Sequence, residues 1–399
     1  MPDPIALKKK GAGLPVQHPP RIVYIGILLS ALSLAAGFLT GIAALAVNNG
    51  YPSIIPLANG ITFHPDLMVF GAVGGLLISE KLELMEKFPL IRNIPISRPI
   101  VAFLFGGVFI LSLGILSSYA VARYAGLLLV VAASLLFLLF MSSNVNHGDK
   151  RIKLVFAAAI ASMSLAAIGN MNSLLYSDVK LTFLALLFPI LYILAERMEL
   201  GFVRGMGARI MALQAYIAWF AVGMAFVSVE VPDKFISRFA MVLSIILVAI
   251  LTGISIKFDP AFRKIKRNGR FQHFMRAGIQ ISFFWLALGL ILFMLQAIIG
   301  HGYLDPATHS IAIGFIGSFI VAHSPVIFPL TFKKKAIQEN VTFLPLIMIT
   351  IANVSRVFGD LAIPYTSLGE TFSYVSGYLL LFAILLFVYN IKKIMVSPD

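Results

Sequence analysis

The chain has 399 residues, of which 59% are hydrophobic and 12% are charged. Globular domains usually carry about 25% charged residues, so this composition excludes a soluble enzyme, a disordered chain and a fibrous repeat protein. The sequence has no cysteine, which excludes disulfides, thiolate metal sites, iron–sulfur clusters and haem attached through Cys-x-x-Cys-His. Any metal or haem must be held by His, Met, carboxylate or backbone ligands.

Long apolar runs, bounded by charged residues, Pro or Gly, dominate the chain. Each run is long enough to cross a bilayer as an α-helix, and continuous runs do not have the alternation of membrane β-strands. We predict an all-α integral membrane protein with twelve transmembrane helices and both termini in the cytoplasm. A single membrane domain at 21–392 lies between an N-terminal arm at 1–20 and a tail at 393–399. The predicted spans are 21–47, 65–86, 99–121, 124–143, 152–176, 180–198, 207–229, 235–257, 272–299, 306–332, 341–359 and 371–392.

The basic residues predict the orientation of these spans. With the N-terminus inside, 26 of the 31 Lys and Arg residues fall on the cytoplasmic side and 5 on the other. This bias is the positive-inside signal of a multi-pass protein in the cell membrane. The net charge of +14 then reflects loops beside anionic lipid, including Arg263-Lys264-Ile265-Lys266-Arg267, and does not predict a nucleic-acid partner.

A weak internal repeat links spans that are four apart. Span 2 ends in Ile78-Ser79-Glu80-Lys81-Leu82-Glu83-Leu84, and span 6 ends in Leu194-Ala195-Glu196-Arg197-Met198-Glu199-Leu200. Span 10 is the next equivalent helix and carries His323-Ser324-Pro325 near its inner end. Because parallel repeats occur in membrane folds, the pattern predicts three groups of four helices.

Two histidines point to a cofactor site near the outer face. His64 opens span 2 and His309 opens span 10, and both spans run inward from outside, so the two side chains lie at the same depth. Ionisable side chains at membrane depth are costly and tend to be functional. Two neutral imidazoles from separate helices suit the axial positions of a haem iron, so we predict haem b between them. Asp66 and Asp305 are nearby acceptors for the second ring nitrogens.

Three further residues extend this haem prediction. Gly71 and Gly314 follow the two histidines, and the missing side chains would admit either a flat macrocycle or a neighbouring helix. Arg356 lies near the outer end of span 11. Its guanidinium would bind haem propionates, would pair with Asp360, or would do both.

A second polar point lies near the cytoplasmic side. His323 is in the inner part of span 10, and Glu80 and Glu196 end spans 2 and 6 at that level. A histidine with carboxylates could bind a second metal, such as copper, or relay protons. The alternative is a polar belt in which these groups pair with Lys81 and Arg197.

These features together resemble those of a known group of membrane haem proteins. The segments that carry the resemblance are His64-Pro65-Asp66-Leu67-Met68-Val69-Phe70-Gly71, His309-Ser310-Ile311-Ala312-Ile313-Gly314-Phe315 and Ala322-His323-Ser324-Pro325-Val326-Ile327-Phe328-Pro329, with Arg356. With the twelve spans, they resemble the main subunit of the haem–copper oxidase superfamily, and more closely its smaller NnrS-type relatives. That resemblance implies a haem protein linked to nitric oxide stress, with His64 and His309 as axial ligands and Arg356 at the propionates.

The sequence departs from the oxidases where they bind copper. The resemblance would place copper-binding histidines on spans 6 and 7, but neither Leu181 to Glu199 nor Gly207 to Val229 contains a histidine. Oxygen reduction of the oxidase type is therefore not expected.

Three functional hypotheses follow. The leading one is an integral membrane haem b protein in respiratory electron transfer or nitric oxide handling, with a redox protein or quinol as partner and a gas as ligand. The second is a proton-coupled secondary transporter that uses His323, Glu80 and Glu196. The third is a non-catalytic subunit of a respiratory complex.

Overall fold

The structure of the chain is a computed structural model that describes residues 21–48, 60–86, 96–143, 149–173, 175, 178–263, 269–332, 334–336 and 340–396. The N-terminal arm at 1–20, the middle of the basic run at 264–267 and the end of the tail at 397–399 lie outside the described residues. The description covers nearly all of the predicted membrane domain.

The described residues form twelve helices, most of them close to the predicted spans. They are α1 Arg21–Asn48, α2 (in three parts, Gly60–Asp66, Leu67–Gly74 and Gly75–Glu86), α3 Ser97–Leu116, α4 Ala120–Ser143, α5 Lys150–Asn172, α6 Val179–Val203, α7 Ala208–Glu230, α8 Lys234–Phe258, α9 Arg270–Ile299, α10 (in three parts, Leu304–His309, Ser310–Gly317 and Ser318–Thr331), α11 Leu344–Ala362 and α12 Ser367–Ile394. A short 3₁₀ turn, Pro260–Phe262, follows α8, and two-residue strands β1 Lys335–Ala336 and β2 Met395–Val396 pair antiparallel.

The prediction of an all-α membrane protein is confirmed. Within the described ranges, eleven helices are long and apolar enough to cross a bilayer. The twelfth helix, α2, is also continuous, but it carries Asp66, Glu80, Lys81 and Glu83, and it is not among those eleven. Its role as a full membrane crossing, the cytoplasmic termini and the three four-helix groups stay predictions.

Helix starts follow from local capping. Asp149, Asp178 and Asp233 precede α5, α6 and α8, and each side chain accepts a hydrogen bond from a backbone N–H of the first turn. Such caps satisfy amide groups that would otherwise lack partners at a helix end. At the other end of a helix, Gly300 closes α9 with a left-handed φ of 98°, a conformation that glycine adopts without steric cost.

The core of the bundle is built around α6. In its most apolar stretch 83% of the residues are buried, against 22% in α12. Helix α6 packs against the middle parts of both α2 and α10, so these three helices meet inside the molecule. Large apolar side chains such as Phe109, Phe235 and Phe358 are exposed around the outside. This pattern is expected where helices contact lipid.

Candidate functional site

The two histidine-bearing helices share an unusual backbone. In α2 the eight residues Leu67–Gly74 form a π-helix, and in α10 the eight residues Ser310–Gly317 do the same. His309 directly precedes its π segment, and His64 lies three residues before the other. π-Helical geometry is rare, and where it interrupts an α-helix it often marks a functional site. Hydropathy does not reveal it, so the sequence did not predict these segments.

A cavity of about 330 Å³ lies beside these segments. Its walls come from α1, α2, α6, α10, α11 and α12 and are mostly apolar, with Met68, Leu186 and Ile316 among them. The polar residues that line it are His64, Thr182, Asp305, Thr308, His309, Arg356 and Ser376. The structure therefore brings both predicted axial histidines and the predicted propionate ligand to one cavity.

His64 is held by the first helix of the chain. Its Nδ1 lies 2.6 Å from the backbone oxygen of Gly37 in α1. Because a carbonyl oxygen can only accept, Nδ1 carries the proton, and Nε2 keeps its lone pair. The ring also lies against Gly41, where an added Cβ would be 2.8 Å from His64 Cε1.

His309 is held within its own helix. Its Nδ1 lies 2.9 Å from the backbone oxygen of Asp305, one turn earlier. The same reasoning assigns the proton to Nδ1 and the lone pair to Nε2. The carboxyl groups of Asp66 and Asp305 were expected as acceptors for the two rings, but backbone oxygens of Gly37 and Asp305 take that place.

Arg356 forms the pair with Asp360 that was one of the alternatives considered from the sequence, and a second pair with Asp305 that was not predicted. Its contact with haem propionates stays a prediction. Its Nε donates to Asp360 Oδ2 at 2.8 Å, and one terminal nitrogen donates to Asp305 Oδ2 at 3.3 Å. Ser373 donates to the other oxygen of Asp360 at 2.8 Å. The guanidinium is thus fixed at the cavity that it lines.

Gly71 and Gly314 were expected to make room for a cofactor, but in the structure they lie against neighbouring helices. A Cβ on Gly71 would meet Ser33 of α1 at 2.7 Å, and one on Gly314 would meet Asn353 and Trp285 at 2.4 Å. Neither glycine lines the cavity. Both therefore permit close helix packing, which was the alternative interpretation.

The carboxyl group of Asp66 is bound by α5. Asn170 Nδ2 donates to its Oδ1 at 2.7 Å. Arg123 donates to the backbone oxygens of Asn170 and Ser173, the latter at 3.0 Å. This group ties α2, α4 and α5 together at one end of the bundle.

Several of the polar residues predicted to lie near the cytoplasmic side form a chain of contacts between helices. Arg197 of α6 binds Asp259 through two hydrogen bonds, one of them 2.6 Å long, and a third guanidinium nitrogen lies 3.1 Å from His323 Nε2. His323 Nδ1 lies 3.1 Å from the backbone oxygen of Phe319. With both ring nitrogens engaged, His323 would have to release Arg197 before it could bind a metal.

Glu80 is not part of that chain, although its neighbour Lys81 forms an ion pair with Glu199 at 3.2 Å. Among the described residues, no cluster of three or more His, Asp or Glu is placed to hold a metal ion. The second metal site at His323 and Glu80 stays a prediction. Of the polar-belt alternative, the structure shows the contact between His323 and Arg197, whereas the carboxylates that pair with Lys81 and Arg197 are Glu199 and Asp259.

Comparison with known proteins gives one positive finding. No curated protein matches the sequence. A family model described as a domain of unknown function, DUF8744, matches residues 21–396, which is the whole helical bundle. The chain therefore belongs to the DUF8744 family.

Proposed function

We propose that this protein is an integral membrane haem b protein whose axial ligands are His64 and His309. The observation that carries the proposal is that the two imidazole rings have the same hydrogen-bonding pattern and line the same cavity. Each donates its Nδ1 proton to a backbone oxygen and keeps Nε2 free, and both line one cavity. This is the arrangement that orients histidines as metal ligands in proteins.

The rest of the cavity suits the same cofactor. Its volume of about 330 Å³ falls within the 300–1,000 Å³ range that is typical of small-molecule sites. The apolar walls would cover the faces of a macrocycle and exclude water. Arg356 would bind a propionate with the nitrogens that its two aspartates leave available, and the buried hydroxyl of Thr308 has no partner among the described residues.

Two histidine ligands favour electron transfer over gas chemistry. A bound haem supplies a one-electron couple at its iron. With both axial positions filled by this chain, nitric oxide would bind only after one imidazole had left. We therefore propose respiratory electron transfer as the primary role of this NnrS-like protein, with nitric oxide handling as a role that needs displacement of His64 or His309.

Optical spectra of the purified protein test the proposal. The protein is produced with added haem precursor, and absorption is recorded in the oxidised and reduced states. We expect the Soret and sharp α bands of a six-coordinate low-spin b-type haem. His64→Ala and His309→Ala should each lose the low-spin signature, whereas the matched control His323→Ala should keep it. A wild-type protein that binds no haem would refute the proposal.

We also propose that the protein lies in the cell membrane with both termini in the cytoplasm. The support is the distribution of 26 and 5 basic residues between the two sides. The absence of cysteine allows a direct test with single Cys variants in intact cells. An impermeant thiol reagent should label Lys234→Cys and not Arg204→Cys, and the reverse pattern would refute the orientation.

A proton-coupled transporter is the second candidate. The two π segments beside one cavity favour it, because transporters bind substrates where membrane helices are interrupted. Proton flux in liposomes that depends on an added substrate, in protein without haem, would support this function. The same flux would have to be lost in a His64→Ala or His309→Ala variant for the cavity to be the transport site.

A further inference from the structure

One backbone oxygen in α1 accepts hydrogen bonds from two side chains of different helices. The oxygen of Gly37 lies 2.6 Å from His64 Nδ1 and 2.9 Å from Thr40 Oγ1. Thr40 is 4% exposed. Its hydroxyl has a second acceptor, the oxygen of Ala36, at the longer distance of 3.1 Å. A hydroxyl has only one proton, and the shorter contact is the one shared with His64.

The other histidine of the cavity differs on this point. His309 donates to the oxygen of Asp305 in its own helix at 2.9 Å. Among the described hydrogen bonds, no side-chain hydroxyl shares that oxygen. His64 is thus the ring whose acceptor belongs to another helix and has a competing donor.

The shared oxygen has a consequence for His64. The hydrogen bond from Nδ1 raises the electron density of the ring and makes Nε2 a stronger ligand. A second donor to the same oxygen withdraws electron density from it and weakens the bond from the imidazole. Thr40 therefore moderates the basicity of His64 without contact with the ring nitrogen.

We propose that Thr40 is a positioning residue that sets the ligand strength of His64 through the carbonyl of Gly37. The inference rests on the proposed haem function for its redox consequence, but the hydrogen bond itself exists without cofactor. Removal of the hydroxyl should strengthen the bond from Nδ1 to Gly37. Stronger donation from His64 would then stabilise the ferric iron relative to the ferrous iron.

Thr40→Val removes the hydroxyl and keeps the shape of the side chain, and Thr40→Ser keeps the hydroxyl as the matched control. In the haem-loaded protein we expect Thr40→Val to raise the ferric-to-ferrous ratio at a fixed potential by a factor of several, up to about tenfold, because the net strength of one hydrogen bond corresponds to a change of that size. Thr40→Ser should leave that ratio close to wild type.

A second measurement uses the protein without haem. With ¹⁵N-labelled histidine, the Nδ1 proton of His64, assigned by its loss in His64→Ala, should move to lower field in Thr40→Val and not in Thr40→Ser. Unchanged resonances overturn the inference, even if the redox ratio changes. If the resonance moves but no variant binds haem, the proposed function fails and the role of Thr40 at His64 stands.

Discussion

Replacement of Gly41 by alanine is a direct test of the His64 site. A Cβ at this position would lie 2.8 Å from His64 Cε1 and 3.0 Å from Nδ1. Carbon atoms in contact normally stay about 3.5–4.0 Å apart, so the ring must retreat by about 0.7 Å. That movement would disturb the 2.6 Å hydrogen bond to Gly37 and turn Nε2 away from its position in the cavity.

Gly41→Ala should lower the affinity for haem and should not lower the stability of α1. Changes to the groups that orient a ligand typically weaken metal binding by about 10- to 100-fold, and we expect a loss of that size in the haem affinity of Gly41→Ala. Alanine favours a helix over glycine by about 1 kcal/mol, so α1 should not be weakened. The two effects are therefore separable in one variant.

Haem titration of the purified protein measures the affinity, and circular dichroism in detergent measures the thermal stability. Gly223→Ala in α7 is the matched control, because an added Cβ there would meet no atom within 4 Å. We expect unchanged affinity in the control. If Gly41→Ala binds haem with wild-type affinity and spectrum, the placement of His64 as a ligand against α1 is wrong.

Two further predictions concern the stability of the bundle. Arg197→Ala leaves the carboxylate of Asp259, which is 1% exposed, without its ion-pair partner, and should cost about 3–5 kcal/mol of unfolding free energy. Urea or thermal unfolding in detergent measures this, with exposed Arg209→Ala as control, and equal stabilities would contradict the role of the pair. Gly314→Ala would place a Cβ 2.4 Å from two neighbouring side chains and should lower the unfolding temperature. Gly253→Ala, with nothing within 4 Å, should not, and similar temperatures for both would argue against tight packing at Gly314.

The helices were predictable because bilayer crossings require long apolar runs. Length and hydropathy therefore located both ends of every helix to within five residues; the largest differences are at the start of α2 and at the C-terminal ends of α3 and α6. The common location of His64 and His309 was also predictable, since both open helices that run in the same direction. For Arg356, its position near the outer end of α11 was enough to predict both an ion pair with Asp360 and a place at the cavity.

The local geometry of the site was not predictable from these patterns. Which backbone oxygen receives a histidine proton depends on how α1 and α2 pack, and Gly37 is 27 positions from His64 in the chain. The glycine that lies against the His64 ring is Gly41 of α1, and not Gly71 of the same helix as His64. Spacing along one helix does not indicate which residue of another helix will contact it. The π segments likewise depend on hydrogen bonds that the hydropathy of Leu67–Gly74 does not specify.

The contacts at the two ends of the central helices bear on the choice between a haem protein and a transporter. Near the C-terminal ends of α2 and α6, Lys81 pairs with Glu199, and Arg197 joins Asp259 and His323. At the N-terminal end of α10, Arg356 joins Asp305 and Asp360. A carrier that works by alternating access must release one set of contacts while the other holds, and each release here would leave a buried charge without a partner. A haem protein needs both ends to stay fixed, because its two ligands must keep one geometry through every redox cycle. The presence of both sets of contacts in one structure therefore favours a fixed cofactor site between α2 and α10.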